Sequence, residues 1–291
     1  MPTSRLLTPR LTCLLCWLLA SLTPAAMAAD ETIATLDWTL AETLVALGAP
    51  PHAVAQVDAY HAWVRVPPLP DSTLDLGLRT QPNLERLAAM APDRILTSPM
   101  FANLTPRLQR IAPVEMLELY TPERDTWQEM LELTRKIGDL VGRREAAERL
   151  IEDTESRLAT LREHLPADPS PLLVVQFMDE RHVRVFGDNG LFQAVLTKLG
   201  LDNAWQGNTN AWGFSLVALE RLAAIDARLV VVEPFPVGVE ARLADSGLWQ
   251  HQPSVRDDSW IVLPPVWSFG ALPSARRFAE QLVTALVGEA P

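Results

Sequence analysis

Cysteine is almost missing from this chain. Its 291 residues include two, Cys13 and Cys16, both close to the amino terminus. Beyond them no disulfide, thiolate metal site or cysteine nucleophile is possible. The five histidines, His52, His61, His164, His182 and His251, are scattered, and none has metal-ligand spacing. A Gly-rich phosphate loop and a Gly-x-Ser-x-Gly elbow are both lacking. After the first 30 positions no apolar run approaches the roughly 18 residues that a membrane span needs. Low-complexity segments are absent as well.

The amino terminus itself is apolar. Arg5 and Arg10 precede an uncharged run over 11–22, and Ala26-Met27-Ala28 offers a small-x-small cleavage site. This pattern is a secretory signal peptide over 1–29. The run is short and broken by Thr12 and Ser21, which disfavours a membrane anchor. Neither cysteine follows the small residue expected before a lipid-modified one. Cleavage removes Arg5, Arg10 and no acid, so the net charge of −11 becomes −13. A product this acidic disfavours nucleic acid and anionic membrane as partners and is expected to be an exported, soluble monomer.

What remains is long enough for two domains of about 100–150 residues. Residues 143–165 organise them. Ala147, Leu150, Ile151, Leu158, Leu161 and Leu165 follow a three- or four-residue step, with Thr154 continuing the stripe, which paints one side of an α-helix about 35 Å long. Gly142 precedes the run, and Pro166, Pro169 and Pro171 end it. The motif LERLAA occurs on both sides of this helix, at 84–89 and at 219–224. Each copy leads through an Asp and an Arg into a β-rich segment, the helix–turn–strand unit of a parallel α/β sheet. The expected architecture is α/β: two similar lobes with mainly parallel sheets, over 30–142 and 166–291, joined by the helix 143–165. Strands are expected over 32–38 and 172–178, with one helix over 241–250 and another over 273–287.

Two loops interrupt the periodic elements. Residues 203–213, NAWQGNTNAWG, hold Trp212, and 264–270, PPVWSFG, hold Trp267. A loop tryptophan beside a glycine can form a flat apolar wall for a ligand, or fold onto its own lobe. Arg79 ends an apolar run just before a helix, where its fork of donors suits an anionic oxygen or a surface carboxylate. Carboxylates are numerous, but Asp179 and Glu233 are the one pair placed at strand ends as a hydrolase acting across a cleft would require.

Residues 67–85, 185–192, 203–213 and 266–270 together resemble the periplasmic ferric-hydroxamate-binding proteins, in order along essentially the whole mature chain. That resemblance implies a class III periplasmic binding protein: two α/β lobes, a rigid connecting helix and a shallow cleft. The cargo would be an iron(III)–siderophore complex, passed to an inner-membrane ABC permease, with no catalysis and no resident cofactor. Arg79 would meet the hydroxamate oxygens, and Trp212 and Trp267 would flank the chelator. Phe101 and Phe269 stand where reference members carry Tyr, which keeps the apolar wall and loses two hydroxyl donors. A docking acid for the permease finds no match at Thr105-Pro106-Arg107. A cobalamin or haem receptor of the same fold and an exported carbohydrate hydrolase are the rival readings.

Export and cleavage have a direct consequence. Mass spectrometry of periplasmic protein is expected to show an amino terminus near residue 29 or 30; a retained Cys13 or a lipid adduct would contradict the signal-peptide reading.

Overall fold

The computed structural model describes residues 31–167 and 169–288. The expected signal peptide lies outside them.

Residues 31–116 form the first sheet and its crossovers. Strand β1 (Ile33–Thr35) leads into helix α1 (Trp38–Ala46), β2 (Ala53–Val54) into α2 (Val57–Trp63). Strand β3 (Leu74–Asp75) is followed by a hairpin of β4 (Gly77–Leu78) and β5 (Gln81–Pro82), then α3 (Leu84–Met90) and β6 (Arg94–Thr97). A 3-10 segment, Pro99–Leu104, runs into α4 (Thr105–Leu108) and β7 (Val114–Met116). The strand order is β3-β2-β1-β6-β7, all parallel. Helices α5 (Thr126–Leu140) and α6 (Arg144–Glu163) then lead to the second sheet.

That sheet begins with β8 (Leu172–Phe177) and β9 (His182–Phe186), followed by α7 (Leu191–Leu199) and β10 (Phe214–Ala218). The chain continues through β11 (Arg228–Val232), three short helices, α8 (Val239–Ala244), α9 (Gly247–Gln250) and α10 (Pro253–Arg256), then β12 (Ile261–Leu263) and α11 (Leu272–Val287). Its order is β10-β9-β8-β11-β12. The β8–β11 and β11–β12 pairs are parallel and the β8–β9 and β9–β10 pairs antiparallel, so β9 alone runs against the others. Two of its four strand pairs are antiparallel, yet four of its five strands share one direction. The turn between β8 and β9 is too short for a crossover, so the chain can only return as a hairpin.

Local chemistry moves several boundaries. The strand expected over 32–38 stops at Thr35, because Asp37 caps α1 by accepting from the backbone N–H of Thr39 at 2.8 Å. Trp38 is thereby the first helical residue. The helix expected over 241–250 is two helices, since Ser246 breaks the run and caps α9. The first LERLAA is a helix capped by Asn83, but the second is a 3-10 segment, Leu219–Ala224, preceded by Ala218 with no side-chain cap.

Helix α6 buries Ala147, Ile151, Thr154, Leu158 and Leu161, the stripe that its spacing predicts. It packs on α5, α7 and α11, and α11 also meets α1. The largest apolar cluster is continuous across these helices. It runs from Ile33 and Leu96 of the first sheet to Val174, Val230 and Leu263 of the second. The carboxy-terminal helix thus serves both lobes, and α6 is one wall of a shared core rather than a free strut.

A shared core makes unfolding cooperative. Replacing the exposed Glu152 of α6, and Glu148 where it pairs with Arg135 of α5 at 2.9 Å, by Gly is expected to cost about 1 kcal/mol each in helix propensity, with the lost ion pair in addition at Glu148. In urea the double variant should show one transition with a lower midpoint and unchanged slope. Two separated transitions would show that the lobes fold independently.

Candidate functional site

In each sheet the strand order reverses beside one central strand, β1 in the first and β8 in the second. At such a reversal the crossovers leave in opposite directions, and a crevice opens beyond the carboxyl ends of the strands. The first sheet's crevice, between β1 and β6, opens into a cavity of about 530 Å³ that both lobes line. The first lobe supplies Asp37 and Thr39 after β1, Ser98 and Met100 after β6, and Leu117 to Pro122 after β7. The second supplies Ala211 and Trp212 before β10, and Trp267 and Phe269 after β12. Arg79 enters from the tip of the β4–β5 hairpin.

The hairpin tip is held before any ligand arrives. Arg79 donates its backbone N–H to Gln56 Oε1 at 3.3 Å, and Asp75 Oδ1 accepts from the N–H groups of Gln56 and Gly77 at 3.1 and 2.8 Å. The Arg79 side chain donates from Nε to the Leu36 carbonyl at 3.1 Å. Its guanidinium carbon lies 4.4 Å from the Trp38 ring centroid, 5.1 Å from that of Phe101 and 5.5 Å from that of Trp267. Burial pushes the guanidinium pKa down, and the Asp37 charge opposes that shift. Asp37 is itself engaged, with Oδ2 accepting from Ser98 Oγ at 2.6 Å across the reversal between β1 and β6. The remaining edge of the Arg79 fork meets only Met100 Sδ, at 3.7 Å. A rigidly placed cation with free donors is the outcome.

The expected site residues occupy different stations. Arg79, Trp212, Trp267 and Phe269 all line the cavity. Trp212 is 43% exposed, whereas Trp267 is only 6% exposed and stands edge-on to Trp38 at 4.9 Å. Phe101 does not reach the cavity wall. It is 3% exposed, packed among Leu76, Leu104 and Leu108, and touches the site only by flanking Arg79. Neither Asp179 nor Glu233 lines the cavity. Asp179 closes the turn before β9, accepting from the N–H groups of Arg181 and His182.

Sequence reasoning missed Trp38 and Tyr120, whose places depend on contacts with distant residues. An Asp directly before Trp-Thr-Leu-Ala was the available signal for the first, a helix cap where a strand was expected to continue.

The loop after β12 carries the second lobe's part of the site and is fastened to the first lobe. Thr39 Oγ1 donates to the Phe269 carbonyl at 2.7 Å, and Trp267 Nε1 donates to Thr39 Oγ1 at 3.1 Å. Tyr120 donates its hydroxyl to the Gly270 carbonyl. Glu42, fully buried on α1, accepts from the Ala271 N–H at 2.7 Å and from Ser274 Oγ at 2.5 Å. Gly270 is required here, because a Cβ would come within 2.3 Å of Ser274 Oγ and 2.6 Å of Glu42 Oε1. Opposite it, Asn210 Oδ1 accepts from the N–H groups of Trp212 and Phe214 at 3.0 and 3.3 Å, which turns the Trp212 ring outward. Gly213, at φ +74°, lies so near Gly190 that a side chain would collide with its backbone.

Among the described residues no group of three His, Cys, Asp or Glu could hold a metal ion, and no helix is long and apolar enough to cross a membrane. The cavity's strongest polar feature is instead a donor, the Arg79 fork. Two α/β lobes meeting around a mostly apolar cleft define a two-lobed binding protein. The comparison with known sequences makes this specific. The model of the periplasmic binding protein family matches residues 33–266, and the chain belongs to that family. It is similar to the iron(3+)-hydroxamate-binding protein FhuD of Escherichia coli K12, 36% identical over 98% of this chain and 97% of that one. It also resembles the Fe(3+) dicitrate-binding periplasmic protein FecB of the same organism, 27% identical over 76% of this chain and 72% of the relative. Among solved structures, the siderophore-binding protein FhuD of Vibrio cholerae with bound Fe3+–Desferal superposes with a TM-score of 0.85. It is 28% identical and covers 90% of this chain and all of its own.

The buried Glu42 sets a pH dependence of stability. Burial raises its pKa from 4.5 to about 8, against the pull of its hydrogen bonds to Ser274 and Ala271. Because the folded state holds this proton longer than the unfolded one, its contribution is full below about pH 4.5 and is lost as pH rises towards 8. Glu42→Gln keeps an acceptor and a volume but has no proton to release. Its melting temperature should fall less between pH 5 and 8 than the native protein's; parallel profiles would remove Glu42 from the account.

Proposed function

We propose that this protein is an exported receptor for ferric hydroxamate-type siderophores, holding the complex between its lobes and passing it to an inner-membrane ABC importer. The observation that carries this reading is the Arg79 guanidinium, caged by Trp38, Phe101 and Trp267 with its outer edge turned to the cavity. An iron(III) hydroxamate centre is a cluster of electron-rich oxygens inside an apolar ligand. The oxygens need a donor that stays charged at any physiological pH, which a guanidinium is. The ligand's flanks need flat apolar contact, which Trp212, Trp267 and Phe269 present. Iron would come already coordinated, so the protein supplies neither metal ligands nor a cofactor. The family match and the relatives named for iron(3+)-hydroxamate and Fe3+–Desferal support the same cargo class.

The fastened loop and shared core also describe how capture would proceed. The walls are in place before binding, so lobe motion on loading should be small. A monomer suffices, because both walls come from one chain.

Quenching of intrinsic tryptophan fluorescence by a ferric trihydroxamate gives the test. Arg79→Ala removes the charged donor and should weaken binding by about 1.5–3 kcal/mol, ten- to a hundredfold. Arg79→Lys should recover part of it, since a point charge does not reproduce the fork. Trp212→Ala should weaken binding through lost contact, with little dependence on salt. Native affinity in both Arg79→Ala and Trp212→Ala would place the cargo elsewhere. Binding of cobalamin or haem in preference to the ferric hydroxamate would replace the cargo class.

A further inference from the structure

Arg79 has a counterpart across the cleft. Strand β9 alternates Val183, Arg184, Val185 and Phe186, and its apolar members are fully buried. Arg184 faces the same side as Phe186, the side that packs on the shared core, where a charge is out of place. In register it stands between Gln176 of β8 and Leu216 of β10. Gln176 is fully buried and Leu216 is 61% exposed, so this row runs from the interior to the surface.

The Arg184 guanidinium lies 5.0 Å from the Phe214 ring centroid and 5.5 Å from that of Phe269. Phe269 lines the cavity, so the cation packs against a ring of the cavity wall. Burial pushes its pKa down, and no carboxylate counters that shift. Among the described residues it makes no ion pair. One hydrogen bond, from Nη1 to Gln176 Oε1 at 3.4 Å, engages it, and Ser268 Oγ shares that same oxygen. Among the described residues its other donors have no hydrogen-bond partner.

The two arginines are thus not equivalent. Asp37 lies by Arg79 and offsets its charge, and Glu118 adds a second carboxylate to the first lobe's wall. On the second lobe's side Arg184 has no such neighbour. In a chain of net charge −11, a half-buried cation without a carboxylate is stabilised by an anion that comes from outside. A buried charge is tolerated where something pairs with it.

We propose that Arg184 is a second anchor of the cleft, which selects ferric siderophores carrying an anionic group beyond the iron-binding oxygens, such as a free carboxylate. This rests on the reading of the cleft as a ferric-hydroxamate site and adds the charge that the cargo must present. The carboxylate would meet the open edge of the Arg184 fork, with Phe214, Phe269 and Leu216 as its apolar surround.

The test holds the iron cage constant and varies one pendant group. Ferric desferrioxamine B bears a free ammonium, its N-acetyl derivative is uncharged there, and its N-succinyl derivative bears a carboxylate. Titrated by fluorescence quenching, the native protein should bind the succinyl complex most tightly and the ammonium complex least. The spread across the series should be about ten- to a hundredfold, the range of a hydrogen bond to a charged group. Arg184→Met should collapse that spread, with a native circular-dichroism spectrum certifying the fold. Arg184→Lys should preserve the order with a smaller spread, and added salt should shrink the native spread. Equal affinity across the series in the native protein, or an unchanged spread in Arg184→Met, overturns the proposal while the general cargo assignment stands. Failure of all three complexes to bind the native protein would instead reject the ferric-hydroxamate reading itself.

Discussion

The site depends on where the loop after β12 is fixed. It leaves the second sheet, yet its hydrogen bonds go to α1 and to Tyr120 of the first lobe. Glu42 is the centre of that attachment. A carboxyl group buried completely loses its hydration, and here two protein donors, the Ala271 N–H and Ser274 Oγ, replace it. Gly270 allows the approach, since no larger residue fits against Ser274 and Glu42. Trp267 then falls against Trp38, and both rings cover Arg79. One attachment therefore places three parts of the cleft.

The same attachment relates rigidity to function. The lobes share a core through α1, α5, α6, α7 and α11, so moving one against the other would open apolar contacts as well as the loop's hydrogen bonds. A cleft built this way is preorganised, and binding orders few side chains. A large, rigid cargo suits it better than a small flexible one, which would need closing walls to exclude water. The exposed Trp212, held by its Asn210 turn, is the part of the wall with most room to adapt.

Charge is distributed with the same economy. Arg79 is placed by aromatic faces and one carbonyl, Asp37 being close enough to matter but occupied by Ser98 and the start of α1. Aromatic rings stabilise a guanidinium without neutralising it, which leaves its field directed at a ligand. Both cleft arginines use this arrangement. A carboxylate partner in the same position would satisfy the cation and remove its attraction for an incoming oxygen.

The long helix, the two α/β units and the loops bearing Trp212 and Trp267 were legible in the sequence, because each rests on a local regularity. A three- or four-residue apolar step makes a helix wherever it lies, and Gly-rich aromatic stretches without period make loops. Arg79 was legible as a cation just before a helix, but the hairpin that carries it was not. What required the tertiary structure was every relation between distant positions. Trp38 joins the site because Asp37 starts a helix that turns its ring towards residue 267. Phe101 leaves the wall because the segment after β6 folds inward over the first lobe's core, so the missing hydroxyl there concerns the support of Arg79 rather than direct contact. Arg184 reads in isolation as one polar residue in an alternating strand. Only strand register, and the packing of Phe269 from 85 positions later, give it a place beside the cleft. Periodicity reports which face of an element is apolar; it carries no information on which other element will cover that face, and the site is made of those pairings.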